Sequence, residues 1–281
     1  MSSAEFCPVA RLEKLFVATD RSVFSEAAVN EAINFAKKCS SKLYVFSVIE
    51  ANPEYETIGA DFFQKEEEEA RRDLETIKQR ALQQGVECEA ILREGEEPYR
   101  LIVDEAAGKK VDMIIIGRHG RTGLLKLLMG KVAANVIGHA PCKVLVVPKA
   151  ARIEYRKILM ATDGSEHSIE AASEAIGIVK RTGSSIVVVS AAHSELELGE
   201  AKDNVARIVE IAQKEGVQVE ETLTPIGKPH DVIVETAGGR GVDLIVMGTY
   251  GKTGVKQLLM GSTTEKVIGL SGCAVLVARR R

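Results

Sequence analysis

Residues 102–146 align without a gap to residues 233–277, and 22 of those 45 pairs are identical. Earlier in the chain, Lys14-Leu-Phe-Val-Ala-Thr-Asp20 returns as Lys157-Ile-Leu-Met-Ala-Thr-Asp163. The first match has an offset of 131 and the second an offset of 143, so 12 extra residues lie between them in the first copy. The stretch 52–63, which contains Pro and Gly and has no counterpart later, is the place for them. A repeat of this length is a whole domain rather than a solenoid unit. The chain of 281 residues therefore reads as two domains, 1–150 and 151–281, close to the usual ~150 residues per domain.

Each copy alternates strand and helix signals. The apolar run 15–18 is followed by a helical segment, 25–38, with Ala28, Ala32 and Phe35 on one face. In the second copy Ile169, Ala172, Ile176 and Val179 have the same helical spacing. Second strands are expected at 43–49 and 186–192. A long charged helix is expected at 64–84, with Leu74, Ile77 and Ala81 inward and the Glu66–Glu69 run on a solvated face. Third strands at 88–92 and 218–223 precede helices opening at Pro98 and Pro229, where the missing N–H costs nothing. The runs 113–116 and 244–247 are continuously apolar, as strands covered on both faces are. Final strands are expected at 144–147 and 275–278. The order βαβαβαβαβ implies, in each copy, an α/β doubly wound parallel sheet with helices on both faces.

Composition excludes several function classes. Lys plus Arg is 37 against 40 Asp plus Glu, a net charge of −3, which gives no general case for nucleic acid. The apolar stretch 267–278 is too short for a membrane helix, which needs ~20 residues. Residues 1–14 carry no apolar core of a secretory signal, so a cytoplasmic location is expected. Cys7, Cys39, Cys88, Cys142 and Cys273 are odd in number and scattered. No disulfide framework is expected from them, and a reducing compartment fits better. Cys142 and Cys273 share one repeat position and read as small buried hydrophobes.

In doubly wound folds ligands bind beyond the carboxyl ends of the strands. There the second copy reads Gly248-Thr-Tyr-Gly251, nine residues, then Gly261-Ser262. The first reads Gly117-Arg-His-Gly120, nine residues, then Gly130-Lys131. Gly117 and Gly248 suit a close backbone approach to an anion. Gly261-Ser262 opens a helix whose free N–H groups form a phosphate site. Ser262 with Glu265 is also a capping box that needs no ligand. No G-x-G-x-x-G follows the first strand, and no P-loop is present. The five histidines have no metal-ligand spacing with cysteine, and no nucleophile elbow occurs.

The pattern G-x2-G-x9-G-[S/T], after a strand ending in Thr-Asp, resembles the universal stress protein family over essentially the whole chain, as two tandem domains. That resemblance implies a five-stranded parallel sheet in the order 3-2-1-4-5, with ATP bound in many members and no nucleotide in others. By position, Asp163 with Thr162 and the backbone around Ala191 would face the adenosine. Gly248 and Gly251 would line ribose and phosphates, and Gly261, Ser262 and Thr263 would hold the phosphates. In the first copy Asp20, Val48, Gly117, Gly120 and Gly130 match. Lys131 replaces the family's hydroxyl residue, so that site either pairs phosphate with an ammonium or is degenerate.

The expected cofactor is ATP, with Mg as a companion ion. The expected role is a stress-response or signalling module. Against it stand a structural or interaction protein with inherited glycine turns, and a slow ATPase, for which no water-activating base is evident. The two copies are expected to pair through their last strands, which are apolar edges. A further homodimer follows from analogy alone.

Overall fold

A computed structural model describes residues 7–10, 12–50, 60–120, 129–251 and 260–279. The extra segment 52–63 and the nine-residue loops between the glycine turns therefore lie largely outside the described residues. The first half runs β1 (Lys14–Ala18), α1 (Glu26–Cys39), β2 (Lys42–Glu50), α2 (Ala60–Gln83), β3 (Cys88–Gly95), α3 (Pro98–Lys109), β4 (Met113–Gly117), α4 (Lys131–His139) and β5 (Lys143–Val147). The second repeats it as β6 (Lys157–Ala161), α5 (Glu166–Thr182), β7 (Ser185–Val189), α6 (Leu198–Lys214), β8 (Glu221–Leu223), α7 (Pro229–Gly239), β9 (Leu244–Gly248), α8 (Ser262–Leu270) and β10 (Ala274–Ala278). The expected second strand of the second half stops early, at Val189, and β8 keeps only three residues.

All ten strands form one sheet in the order β3-β2-β1-β4-β5-β10-β9-β6-β7-β8. Within each half the order is 3-2-1-4-5 and every pairing is parallel. The halves join antiparallel through β5 and β10, with Val144 opposite Val277 and Val146 opposite Val275. The two apolar edges the sequence exposes thus cover each other, which removes an edge that would otherwise template aggregation.

Alternation along each strand feeds two separate cores. Leu15 and Val17 belong to the core on the side of α1, α2, α5 and α6, while Phe16 and Ala18 belong to the core on the side of α3, α4, α7 and α8. The repeated Val-Asp before β4 and β9 has a structural use. The Asp112 carboxylate accepts the N–H groups of Glu13 and Lys14 at 2.9 and 3.0 Å, and Asp243 accepts that of Arg156 at 2.9 Å. These bonds satisfy backbone donors at the start of β1 and β6, which would otherwise be left unpaired.

One expectation fails. Cys7 and Cys39 form a disulfide, with Cα atoms 4.4 Å apart. The segment before β1 packs Val9 and Leu12 into the core beside the end of α1, which brings together cysteines 32 residues apart. Scattered free cysteines therefore no longer speak for a reducing compartment. Cys88, Cys142 and Cys273 stand outside that bridge, and burial raises the Cys273 thiol to about 11. No helix among the described residues is long and apolar enough to cross a membrane.

Candidate functional site

The site is built on the turn that leaves β6. The Thr162 N–H donates to Val189 O at 2.9 Å, and its Oγ1 lies 3.0 Å from Ser168 Oγ and accepts the Gly164 N–H at 3.2 Å. Gly164 sits at φ +77°, the left-handed region where a side chain is strained. Asp163 Oδ1 accepts the N–H and the hydroxyl of Ser165 at 3.1 and 2.6 Å. Ser165 in turn caps α5 by accepting the Ser168 N–H at 3.2 Å. The aspartate is thus fixed by the cap of the following helix.

The glycine turns close on the same point. A Cβ on Gly251 would lie 2.5 Å from Asp163 Oδ2, so only glycine lets the turn pass the carboxylate. At Gly248 the reason differs from the one the sequence suggests. A Cβ there would lie 2.8–2.9 Å from His167, mostly its backbone, so the packing of α5 on β9 forbids a side chain. At Gly117 the fit is tight but less severe: a Cβ would lie 3.0 Å from Phe24 O, just before α1.

The capping box is not formed. Gly261, not Ser262, is the N-cap of α8, because its N–H is drawn to Thr249 O at 3.0 Å. Ser262 becomes the exposed first residue of the helix. Thr264, which the sequence reading missed, ties the helix start to the strand by donating from Oγ1 to Gly248 O at 3.1 Å. Its repeat counterpart is Ala133, and that asymmetry was the available signal.

These elements enclose a cavity of about 390 Å³. Thr162, Asp163, Ala191, Gly248, Gly251, Gly261, Ser262 and Thr263 all line it. The sequence reading missed the wall from α6 and the short turn before it, which adds Glu197, Glu200 and Asn204. Asn204 Nδ2 donates to Ser190 Oγ at 3.4 Å, and Tyr250 packs on His167 with ring centres 5.4 Å apart. Glu197 and Glu200 make the α6 side of the cavity lining rich in carboxylates. The lining also includes the N-terminus of α8, whose first N–H groups have no partner within the helix and carry the positive end of its dipole. Among the described residues no group of three His, Cys, Asp or Glu side chains is placed to hold a metal ion.

The first half repeats the scaffold with different side chains. Asp20 Oδ1 accepts the N–H and hydroxyl of Ser22 at 3.1 and 2.7 Å, and a Cβ on Gly120 would lie 3.2 Å from Asp20 Oδ2. Gly130 donates its N–H to Arg118 O at 2.9 Å and is the N-cap of α4, with Lys131 exposed at its first position. Val48 lies in β2. Two residues the sequence reading passed over stand out. Arg21 is in the left-handed region at φ +65° and pairs with Glu66. Arg118 leaves the site altogether and donates to the carbonyls of Gly269 and Ser271 in the other half, at 3.1 and 2.8 Å.

A tandem of doubly wound domains in 3-2-1-4-5 order, with a cavity between the first strand's Thr-Asp turn and a glycine-capped helix, defines a narrow class. The sequence profile of the universal stress protein family matches residues 12–148 and again 154–279, so the chain belongs to that family. A universal stress protein of Methanocaldococcus jannaschii is 34% identical over 142 residues, 45% of this chain and 83% of that protein. One from Synechocystis is 33% identical over 149 residues, 48% of this chain and 96% of that protein. The crystal structure of a universal stress protein from Archaeoglobus fulgidus superposes with a TM-score of 0.76 at 23% identity, covering 96% of this chain and 100% of that one. That likeness shows the fold.

Proposed function

We propose that the second half binds ATP and that the chain is a nucleotide-responsive stress or signalling module rather than an efficient enzyme. The observation that carries this reading is the cavity of about 390 Å³, lined by the acidic residues of α6 and by the N-terminus of α8. The volume lies within the ~300–1,000 Å³ of ordinary ligand sites. Asp163, Glu197 and Glu200 are acceptors suited to ribose hydroxyls and an amino group. The N–H groups of Ser262 and Thr263, with the Ser262 hydroxyl, are donors suited to phosphate oxygens. The helix N-terminus therefore sets the orientation, with phosphates toward α8 and adenosine toward β6. Mg, where present, would be carried on the phosphates. A cytoplasmic setting goes with this reading.

Mass spectrometry of the purified protein after denaturation tests it. An adenine nucleotide near one equivalent is the expected result. Its absence, together with no binding on titration, would reject the reading. A second reading is favoured by Gly248, whose glycine is explained by the packing of α5 on β9. On that reading the glycine turns are scaffold and the duplicated sheet is an interaction platform.

A further inference from the structure

Arg21 and Gly164 occupy the same repeat position, one residue after the Thr-Asp of the first strand in each half. Their backbones match. Both lie in the left-handed region, at φ +65° and +77°, and both donate their N–H to the preceding threonine Oγ1, at 3.0 and 3.2 Å. What differs is the side chain. A non-glycine residue in this region is strained, so the arginine is kept against a local penalty. Its guanidinium forms an ion pair with Glu66 of α2, and the side chain is only 4% exposed.

Glu66 has its own repeat counterpart in Glu197. The alignment of the two helices is fixed by burial, because Ala70, Leu74, Ile77 and Ala81 recur 131 residues later as Ala201, Val205, Ile208 and Ala212, all buried. In the second half Glu197 accepts the His193 N–H at 2.9 Å and lines the cavity. Asp163, beside Gly164, also lines it. In the first half the ion pair therefore links the residue after Asp20 to the helix position that walls the second half's cavity.

We propose that the Arg21 side chain, held by Glu66, fills the first half's counterpart of the cavity, so that the chain takes one nucleoside polyphosphate rather than two. This rests on the nucleotide reading of the second half. The closure is a product of one residue: glycine at position 21 would relieve the backbone and remove the guanidinium together. The pair is also nearly neutral as a unit, so the arginine offers little charge to attract a phosphate in place of Glu66.

Calorimetric titration of ATP into the full chain tests the closure, with thermal melts to show that each variant is folded. Wild type should bind one equivalent. Arg21→Gly should bind two, the second more weakly, with a melting temperature no lower than wild type by more than a few degrees. Arg21→Lys, which keeps a cation beside Glu66, should stay at one. One equivalent in Arg21→Gly, or two in wild type, overturns the closure while leaving the second-half site intact. No binding by any of the three chains overturns the nucleotide reading itself, and the closure with it.

Discussion

Leu145 of β5 and Leu276 of β10 face each other across the antiparallel seam, and they are also the same position of the repeat, 131 residues apart. The pseudo-twofold axis that relates the halves therefore passes between these two side chains. Both are 1% exposed and belong to the same apolar core. The register maps onto itself, so Val144 opposite Val277 becomes Val275 opposite Val146.

Because they share one environment, Leu145→Ala and Leu276→Ala should each cost ~2–5 kcal/mol of stability in urea unfolding. The double variant should lose ~0.5–3 kcal/mol less than the sum, as neighbours in one contact do. Strict additivity would mean that the seam does not pack as described.

Each half also sends an arginine to the far end of the other half's last helix. Arg118 donates to the Gly269 and Ser271 carbonyls at the C-terminal end of α8, and Arg279 to the Ile137 and Gly138 carbonyls of α4, at 3.2 and 2.9 Å. A guanidinium here satisfies carbonyls that the helix leaves unpaired and opposes its dipole. Arg118→Ala should cost ~1.5–3 kcal/mol, and Arg118→Lys should recover only part, since an ammonium has no planar fork. Full rescue by lysine in denaturant unfolding would reduce the contact to a simple charge effect.

The seam is asymmetric at one titrating pair. Glu174 of α5 pairs with Lys143 at 2.6 Å, whereas its repeat counterpart Glu31 faces a seam where Ala274 holds the lysine's position. Burial raises the Glu31 carboxyl from 4.5 to about 7, with Asp243 adding to the rise and Lys38 on the same helix opposing it. The folded chain thus holds this proton more tightly than the unfolded chain. Its stabilisation is complete below about pH 4.5 and is lost as pH rises through about 7, on the order of 3 kcal/mol in total. Unfolding free energies from pH 5 to 8 should fall in wild type and stay flatter in Glu31→Gln. An identical slope in both would remove Glu31 as the cause.

The repeat made most of the fold legible. Two offsets, two continuous apolar strands and two prolines at helix starts were enough for the strand–helix order, and the family resemblance supplied the sheet order. What stayed hidden depends on contacts between distant segments. The Cys7–Cys39 pairing needs the path of the segment before β1, which no cysteine spacing reveals. Glu66 sits in a run of four glutamates that looks wholly solvated, and only Arg21 distinguishes it. The capping box at Ser262 was a sound local pattern, overridden because Thr249 O pulls Gly261 into the cap position. At the site, the strand-end residues were readable from spacing, but the α6 wall was not, because its acidic residues carry no motif.

That override separates fold from ligand at Ser262. Since the residue does not cap α8, Ser262→Ala should change stability by no more than ~0.5 kcal/mol, as at an ordinary surface position. If the hydroxyl donates to phosphate, ATP affinity should fall about ten- to a hundredfold. A stability loss near 1 kcal/mol with unchanged affinity would restore the capping role.

The most direct measurement is calorimetric titration of ATP into wild type and Ser262→Asp. An acidic residue in the first turn of α8 favours the helix, so the variant should fold as wild type does. Its charge would stand against the phosphates, and affinity should drop roughly a hundredfold or more. ATP bound as tightly by Ser262→Asp as by wild type would contradict the account, because the phosphates could not then lie at the start of α8.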